Sequence, residues 1–433
     1  MPNILRYGRP TWRMVIYDRN GFPIGPIYDA SSRKLQLAIN GIDTLDFSIR
    51  LDHPAAAYLR PYETIIKVWR TISIPQDTAN YYNPQDPIFC GIVGPMDQGG
   101  ESNQIPITVK SPFWMLQNRY VRELLQLGNP LPLVGPAMDA GEIAMYLIDY
   151  TNQFGETGIV RGDIEPTQTI RQAYEVRQEI WKAIEELTQS TGGFDIYPRY
   201  VHLGDGDKTL MIFNVASSYG IAQPKIQLHY NVGRKNLKDI TRRFETEGFC
   251  TSVDVDGQGD GLTASVHIED SDAVAKYGLW ERVDKLDNIL DTGSLADHGN
   301  SVLDHFSDPP QVIEPVLTPR IGPHFGRDYG LGDIVAIRAH KALLDFGVMK
   351  RVYGATLEMD DSNFETTSLT TSRDTSGQIE DNGEDFFDFT GSGDVAVSSG
   401  YTAPQAIDDG QGGENQTERS VTVRESSDLD IDL

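Results

Sequence analysis

Through residue 110 the apolar positions fall two apart, the period of a strand with one buried face. "RMVIYDRNGFPIGPI" joins two apolar runs across Arg19-Asn20-Gly21, which is hairpin chemistry. In "KLQLAINGIDTLDFSIRL" the alternation runs through Leu35, Leu37 and Ile39, turns at Asn40-Gly41, and resumes through Leu45, Phe47 and Ile49. "DHPAAAYL" predicts a single helical turn, with Asp52 placed to cap it and Pro54 near its first position. "TIIKVWR" and "PIFCGIVGPM" add two strands, and no helix of ordinary length fits.

At Ser111 the period lengthens. "SPFWMLQNRYVRELLQ" offers a Ser cap, Pro112 at the first helical position, and Leu116, Tyr120 and Leu124 spaced four apart, so a helix is predicted. "DAGEIAMYLIDYTNQFG" opens with a capping-box pair, Asp139 and Glu142, and closes at Gly155. "TIRQAYEV" alternates through Ile170, Tyr174 and Val176, then yields to "RQEIWKAIEELTQSTGG", with Ile180, Ile184 and Leu187 on one helical face. "FDIYPRYVHLGDGDKTLMIFN" predicts a hairpin across Gly204–Lys208. Residues 111–217 therefore read as an α/β module between β-rich stretches.

From 218 to 374 strands dominate again: the two runs of "GFCTSVDVDGQGDGLTASVHIED", then "DIVAIRA", "DFGVMKRVYGATLEMD" and "SNFETTSLTTS". A short helix, "SLADHGNSVLDHF", is predicted at 294–306. Residues 375–433 are acidic, rich in Gly and Ser and poor in apolar residues, a composition that predicts disorder or dependence on a partner.

The length, 433 residues, predicts roughly two to four domains. No run approaches about 18 apolar residues, and "MPNILRYGRPTWRM" lacks a signal-peptide core. Cys90 and Cys250 stand far apart in no metal spacing, implying neither a disulfide framework nor a zinc site. The expectation is a soluble protein made in a reducing cytoplasm. Net charge is −26, of which the last 59 residues, with fourteen acids against Arg419 and Arg424, carry −12. So acidic a surface repels a phosphate backbone, and specific nucleic-acid binding is not expected.

The candidate chemistry weakens on inspection. "DVDGQGDG" resembles a calcium loop, but counting from Asp256 puts Gln258 third and His267 twelfth, where acids are required. Counting from Asp254 misplaces the glycine, so a hairpin turn fits Asp256–Asp260 better. His298 and His305 each follow an Asp, but lie seven apart on the predicted helix, not the three or four that grip an ion. Glu185-Glu186 belong to the solvated face of their helix. "HFGRDYGLGDIVAI" holds three glycines, yet lacks the third glycine position, the preceding strand and the following helix of a dinucleotide loop. It predicts a tight turn into a strand, with Asp333 bonding turn amides. No catalytic, cofactor-binding or metal-ligating residue is predicted.

"FGRDYGLGDIV" resembles a signature of the hub-type minor tail proteins of actinobacterial siphophages. In the family's order, "TLDFSIRLDHPAAAYLRPYETIIKVWR", "EIWKAIEELTQSTGGFDI" and "GQGDG" are similar to its N-terminal domain, its central helix and its Gly-rich turn. The resemblance spans roughly residues 12–374 and leaves the acidic tail without a counterpart. It implies an α+β, predominantly β fold: two β-barrel-like, tail-tube-like domains with an α/β insertion and an acidic extended arm. The divisions are 1–110, 111–217, 218–374 and 375–433. It further implies a homotrimeric tail-tip hub in the virion, made in the host cytoplasm. Such a hub joins the distal tail protein ring to tip or fibre proteins, meets the tape measure protein, and surrounds the channel through which DNA leaves. A negative lumen would let DNA slide without sticking. Some relatives carry a cell-wall hydrolase downstream; none is expected here. A receptor- or carbohydrate-binding module is the second reading, suggested by aromatics in β-rich stretches, and a cell-wall hydrolase the third. In the tail, "DFFDF" (Phe386, Phe387, Phe389) and "RSVTVRE" (Val421, Val423) are the expected anchors, the second by adding a strand to another subunit.

Overall fold

The computed structural model describes residues 9–73, 85–96, 103–123, 125–127, 138–170, 172–174, 176–189, 193–231, 235–244, 248–257, 265–286, 292–307, 311–318, 322–341, 344–371 and 419–424. The Gly-rich turn at 258–264, with Asp260, and the aromatic anchor at 386–389 lie outside them. The chain forms two compact units, Met1–Thr241 with Glu314–Ser372, and Arg242–Ile313 with Arg373–Leu433. Residues 218–374 thus contribute to both.

The first unit starts with six strands where the sequence predicts them, β1 (Arg9–Tyr17), β2 (Pro23–Ile27), β3 (Ser31–Ala38), β4 (Thr44–Arg50), β5 (Ile65–Ser73) and β6 (Phe89–Val93), and a seventh that it does not single out, β7 (Gln104–Lys110). Leu35, Leu37, Leu45, Phe47 and Ile49 all point into the core, and Asn40 takes the left-handed conformation that the β3–β4 turn needs. The turn at Pro54–Tyr58 is a 3-10 helix, capped by His53 rather than Asp52. His53 Nδ1 accepts the Ala55 N–H at 3.0 Å, while Asp52 is taken by Arg50 at 2.6 Å.

The helix predicted from Ser111 stops early, as α1 (Phe113–Leu116). Tertiary pairing overrides its spacing, because residues 119–121 are drawn out against 177–180. Val121 N–H donates to Gln178 O at 2.9 Å, Arg177 N–H to Val121 O at 2.7 Å, and Ile180 N–H to Arg119 O at 3.0 Å. There follow β8 (Leu125–Leu127), β9 (Met138–Asp139), α2 (Ala140–Asn152), β10 (Ile159–Ile164), β11 (Thr169–Ile170), β12 (Gln172–Tyr174), α3 (Ile180–Gln189), β13 (Asp195–Ile196), β14 (Arg199–Tyr200) and β15 (Met211–Ala216). Asp139 caps α2 through the N–H groups of Gly141 (2.9 Å) and Glu142 (3.2 Å). Glu142 does not reach back to complete a capping box; it pairs with Arg161.

Beyond the module come β16 (Ala222–Tyr230) and β17 (Leu237–Phe244), within which the chain leaves this unit. The second unit holds β18 (Ser252–Gly257), β19 (Ser265–Asp270), α4 (Ser271–Tyr277), β20 (Glu281–Leu286) and α5 (Thr292–Phe306). The chain returns within β21 (Gln311–Leu317) and completes the first unit with β22 (Ile334–Lys341), β23 (Leu344–Met359) and β24 (Glu365–Thr371). The last described strand, β25 (Arg419–Arg424), belongs to the second unit.

The large sheet runs β17-β21-β24-β23-β3-β4-β7-β6-β5-β1-β2, and β16 and β22 extend from β23. It is an open path: the described strands close no barrel. β23 joins the two ends of the sequence by pairing β3 in register from Gly354↔Ala38 to Met359↔Arg33. Between β24 and β5 five strands intervene in the sheet order, yet their side chains meet. Arg70 Nε and Nη2 donate to Glu365 Oε2 and Oε1 at 2.8 and 2.6 Å, and Trp12 Nε1 donates to Glu365 Oε2 at 2.7 Å. Arg70 Nη1 completes the set by donating to Phe325 O at 2.6 Å. The sheet therefore curls until its early and late strands face each other across a buried ion pair.

The second unit has its own core. Val253, Val255, Val266 and Ile268 of β18 and β19 pack with Cys250 and with Leu295, Val302 and Leu303 of α5. Gly299 lets the helix approach closely, since a Cβ there would lie 2.7 Å from Ile268 Cδ1. α4, absent from the sequence reading, is capped by Asp270, whose carboxylate accepts the Ala273 N–H at 3.0 Å. The strand expected to reach another subunit, β25, instead pairs antiparallel with this chain's own β19, Val421 opposite Ile268 and Val423 opposite Val266.

Removing one partner of the buried pair strands the other charge. Glu365→Ala is predicted to cost about 3–5 kcal/mol in equilibrium denaturant unfolding of the first unit; an unchanged midpoint would refute that role for the pair.

Candidate functional site

The glycine-rich segment before β22 spends its amides on its own chain. Gly326 N–H donates to Tyr329 O at 2.7 Å, Gly332 N–H to Val352 O at 2.7 Å, and Asp328 N–H to His324 O at 2.9 Å. Asp333 performs the role expected of it, accepting the Gly330 N–H at 2.9 Å and the Ile221 N–H at 3.0 Å. Donors committed in this way cannot cradle a phosphate. Gly332 (φ +82°) lies back to back with Tyr219-Gly220, where a Cβ would sit 2.4 Å from Tyr219 O. Arg351 fastens the spot, its Nη2 bonding Asp195 Oδ2 and donating to Tyr219 O at 2.6 Å. The segment is a clasp between β16, β22 and β23 and the α/β module.

A second buried node holds the module on the sheet. Asn40 donates to Phe194 O at 3.3 Å and accepts the Ile196 N–H at 2.6 Å. Beside it the Tyr200 hydroxyl donates to Asp43 Oδ2, and the Ala38 N–H to Asp43 Oδ1 at 2.9 Å. Burial pushes the Asp43 carboxyl up to about 7 against the relief of these hydrogen bonds. Burial also raises the Tyr200 phenol, and the Asp43 charge raises it further.

The sequence-flagged acids and histidines do not converge. His298 Nε2 lies 3.1 Å from Asp284 Oδ2, and Arg282 Nε donates to the same carboxylate at 2.7 Å. His305 shares α5 with it, its side chain outside the described residues. Asp256 sits on β18 opposite Ser265. Among the described residues no group of three or more His, Cys, Asp or Glu side chains is placed to hold a metal ion. Cys90 is buried and its thiol pushed up to about 12, far from a nucleophile's range.

One constellation escaped the sequence reading. His267 Nδ1 stands 2.7 Å from Asp254 Oδ1, and its Nε2 3.5 Å from Ser252 Oγ. The order of atoms imitates a Ser-His-Asp triad. Its signal was alternation, which places Ser252 and Asp254 on one face of β18, with Asp254 opposite His267 on β19. Ser252 is only 1% exposed and its own N–H is held by Trp280 O at 3.1 Å, so a substrate carbonyl has no approach to Oγ. The three residues form a cross-strand polar ladder.

No helix among the described residues is long and apolar enough to cross a membrane. No protein-family model matches the sequence, and no curated protein matches it either. The fold does have solved counterparts. A tail protein from Neisseria meningitidis is 14% identical with a TM-score of 0.52, over 84% of this chain and 97% of that one. The 43 kDa tail protein of prophage MuSo2 from Shewanella oneidensis is 14% identical with a TM-score of 0.53, over 83% and 98%. Prophage tail protein gp18 from Listeria monocytogenes is 10% identical with a TM-score of 0.50, over 84% and 96%. This chain shares the fold of those tail proteins.

Two outcomes are predicted. Gly332→Val adds a β-branched side chain at positive φ and against backbone, and should cost ~3 kcal/mol or more by thermal or denaturant unfolding; a variant of unchanged stability would contradict the clasp. Asp43, ordinarily ionised above 3.8, stays protonated in the fold up to about 7. Between those values the folded state holds the extra proton, so this group's contribution to stability falls as pH rises. Asp43→Asn should therefore show a shallower decline than the wild type across that window when unfolding is measured pH by pH; parallel profiles would count against it.

Proposed function

We propose that this chain is a structural protein of a phage-type tail, and specifically the trimeric tail-tip hub that its sequence motifs resemble in actinobacterial siphophages. The observation that carries the reading is the fold match, which takes in nearly the whole length of three tail proteins while the sequences have diverged to 10–14% identity. In this reading three copies form a ring under the distal tail protein, facing the tape measure protein within and tip or fibre proteins beyond. In the resembled hubs each chain contributes two β-barrel-like domains, which gives a threefold ring approximate sixfold character and lets it meet a hexameric tube. The acidic composition suits a lumen that passes DNA without retaining it. The amides of the clasp are internally satisfied and Ser252 is shielded, which supports a role in assembly over catalysis. The segment between β24 and β25 would serve as an assembly arm, with Phe386, Phe387 and Phe389 reaching a neighbour.

Light scattering of the full chain, alone and with a distal tail protein, is predicted to give a mass near three 48.1 kDa chains. A monomer under both conditions would overturn the hub assignment.

A further inference from the structure

Where the N-terminal strands meet the α/β module, the first unit carries a cleft of about 570 Å³. Six segments build it: the β1–β2 turn, the chain leading into β5, β6 at Ile92, α1 with the residues after it, the turn after α2, and the hairpin ending at Leu210. Clefts at such junctions are where ligand sites concentrate.

Tyr62 dominates it. The ring is 60% exposed and stacks on Trp114, centroids 5.5 Å apart and planes 23° apart, while Lys110 Nζ lies 5.2 Å from the Trp114 centroid. The Tyr62 backbone has φ +65°, a conformation that is strained for a bulky residue. Its N–H is pinned to Val93 O at 2.8 Å. Burial does not explain an exposed aromatic held at such a cost, whereas presentation of a ring face does.

Charge gives the second observation. In a chain of net charge −26 the cleft is lined by three cations and two carboxylates. Lys208 is engaged with Glu156 at 2.9 Å, and Glu63 faces Arg60 at 3.8 Å. Arg19 and Arg119 line the cleft with no side-chain hydrogen bond or ion pair among the described residues. Gly155 (φ +147°) makes room for Arg119, whose Nη2 lies 3.2 Å from where a Cβ would be. Amide side chains of Asn20 and Asn118 complete the polar lining.

We propose that this cleft binds an acidic saccharide, a sugar ring lying on Tyr62 and its carboxylate between Arg19 and Arg119. An aromatic face suits the C–H face of a pyranose, guanidinium groups suit a carboxylate, and amides suit hydroxyls. The site's chemistry is independent of where in a tail the chain sits.

The test is binding of the full-length protein to immobilised uronic-, sialic- and muramic-acid oligosaccharides, with neutral oligosaccharides and polyglutamate as controls. Retention of at least one acidic saccharide is expected, above both controls. Tyr62→Gly removes the ring while easing the backbone, so it should stay folded and lose about tenfold or more in affinity. Arg19→Ala with Arg119→Ala should erase the preference for acidic over neutral sugars, and Tyr28→Ala, exposed but outside the cleft, should change nothing. Failure to retain any acidic saccharide overturns the proposal. So does equal or tighter binding of polyglutamate or neutral sugar, or affinity that survives Tyr62→Gly.

Discussion

Arg70 and Glu365 stand 295 residues apart and meet as a bidentate pair almost wholly withdrawn from water. Desolvating two charges is costly, and such a pair persists only when its remaining hydrogen-bonding capacity is met. Here it is met, by Trp12 on β1 and by the Phe325 carbonyl in the clasp. Four elements are thus drawn to one point by a geometry that tolerates little displacement. An open sheet of this length could splay; fastening β24 onto β1 and β5 fixes its curl and with it the concave interior where Leu35, Phe47, Phe89 and Ile107 are buried.

The α/β module depends on that frame. It is inserted between β7 and β16, and it is held by short polar contacts and not by a continuous ladder. Asn40 holds it at Phe194 and Ile196, Asp43 at Tyr200, and Arg351 at Asp195. Aromatic pairs add to these contacts: Phe89 of β6 lies 5.5 Å from Tyr200 of β14, and Tyr62 lies 5.5 Å from Trp114 of α1, ring centroid to ring centroid. A polar and aromatic joint of this kind leaves re-entrant space at its rim, and the Tyr62–Trp114 cleft lies there.

The second unit follows a simpler rule. Two strands of alternating valine and isoleucine give one apolar face, and α5 covers it. The opposite face keeps its polar ladder of Ser252, Asp254 and His267, so the arrangement that mimics catalytic geometry is a by-product of strand pairing. β25 closes one edge of that sheet with a segment far along the chain, which removes an exposed row of backbone donors and acceptors.

Local periodicity determined a great deal. Strands β1–β6, α2 with its Asp139 cap, the amphipathic α3, and the turns at Asn40 and Asp333 were legible because each rests on patterns a few residues long. The partition of 218–374 was not, since it follows from β23 choosing β3, a pairing that no local pattern encodes. For the same reason the spacing of Leu116, Tyr120 and Leu124 promised a helix that residues 177–180 pulled into extended chain. Among the chemical features, the commitment of the glycine-rich segment to a turn could be read from what it lacked. The buried pair, the Asp43 node and the Tyr62 cleft could not, because each assembles residues from separate stretches. For most segments sequence alone set strand or helix, through side-chain period and capping. Only the tertiary structure decided which distant charges would be desolvated together, because the energy of a buried ion pair exists only once the chain has brought both halves out of water.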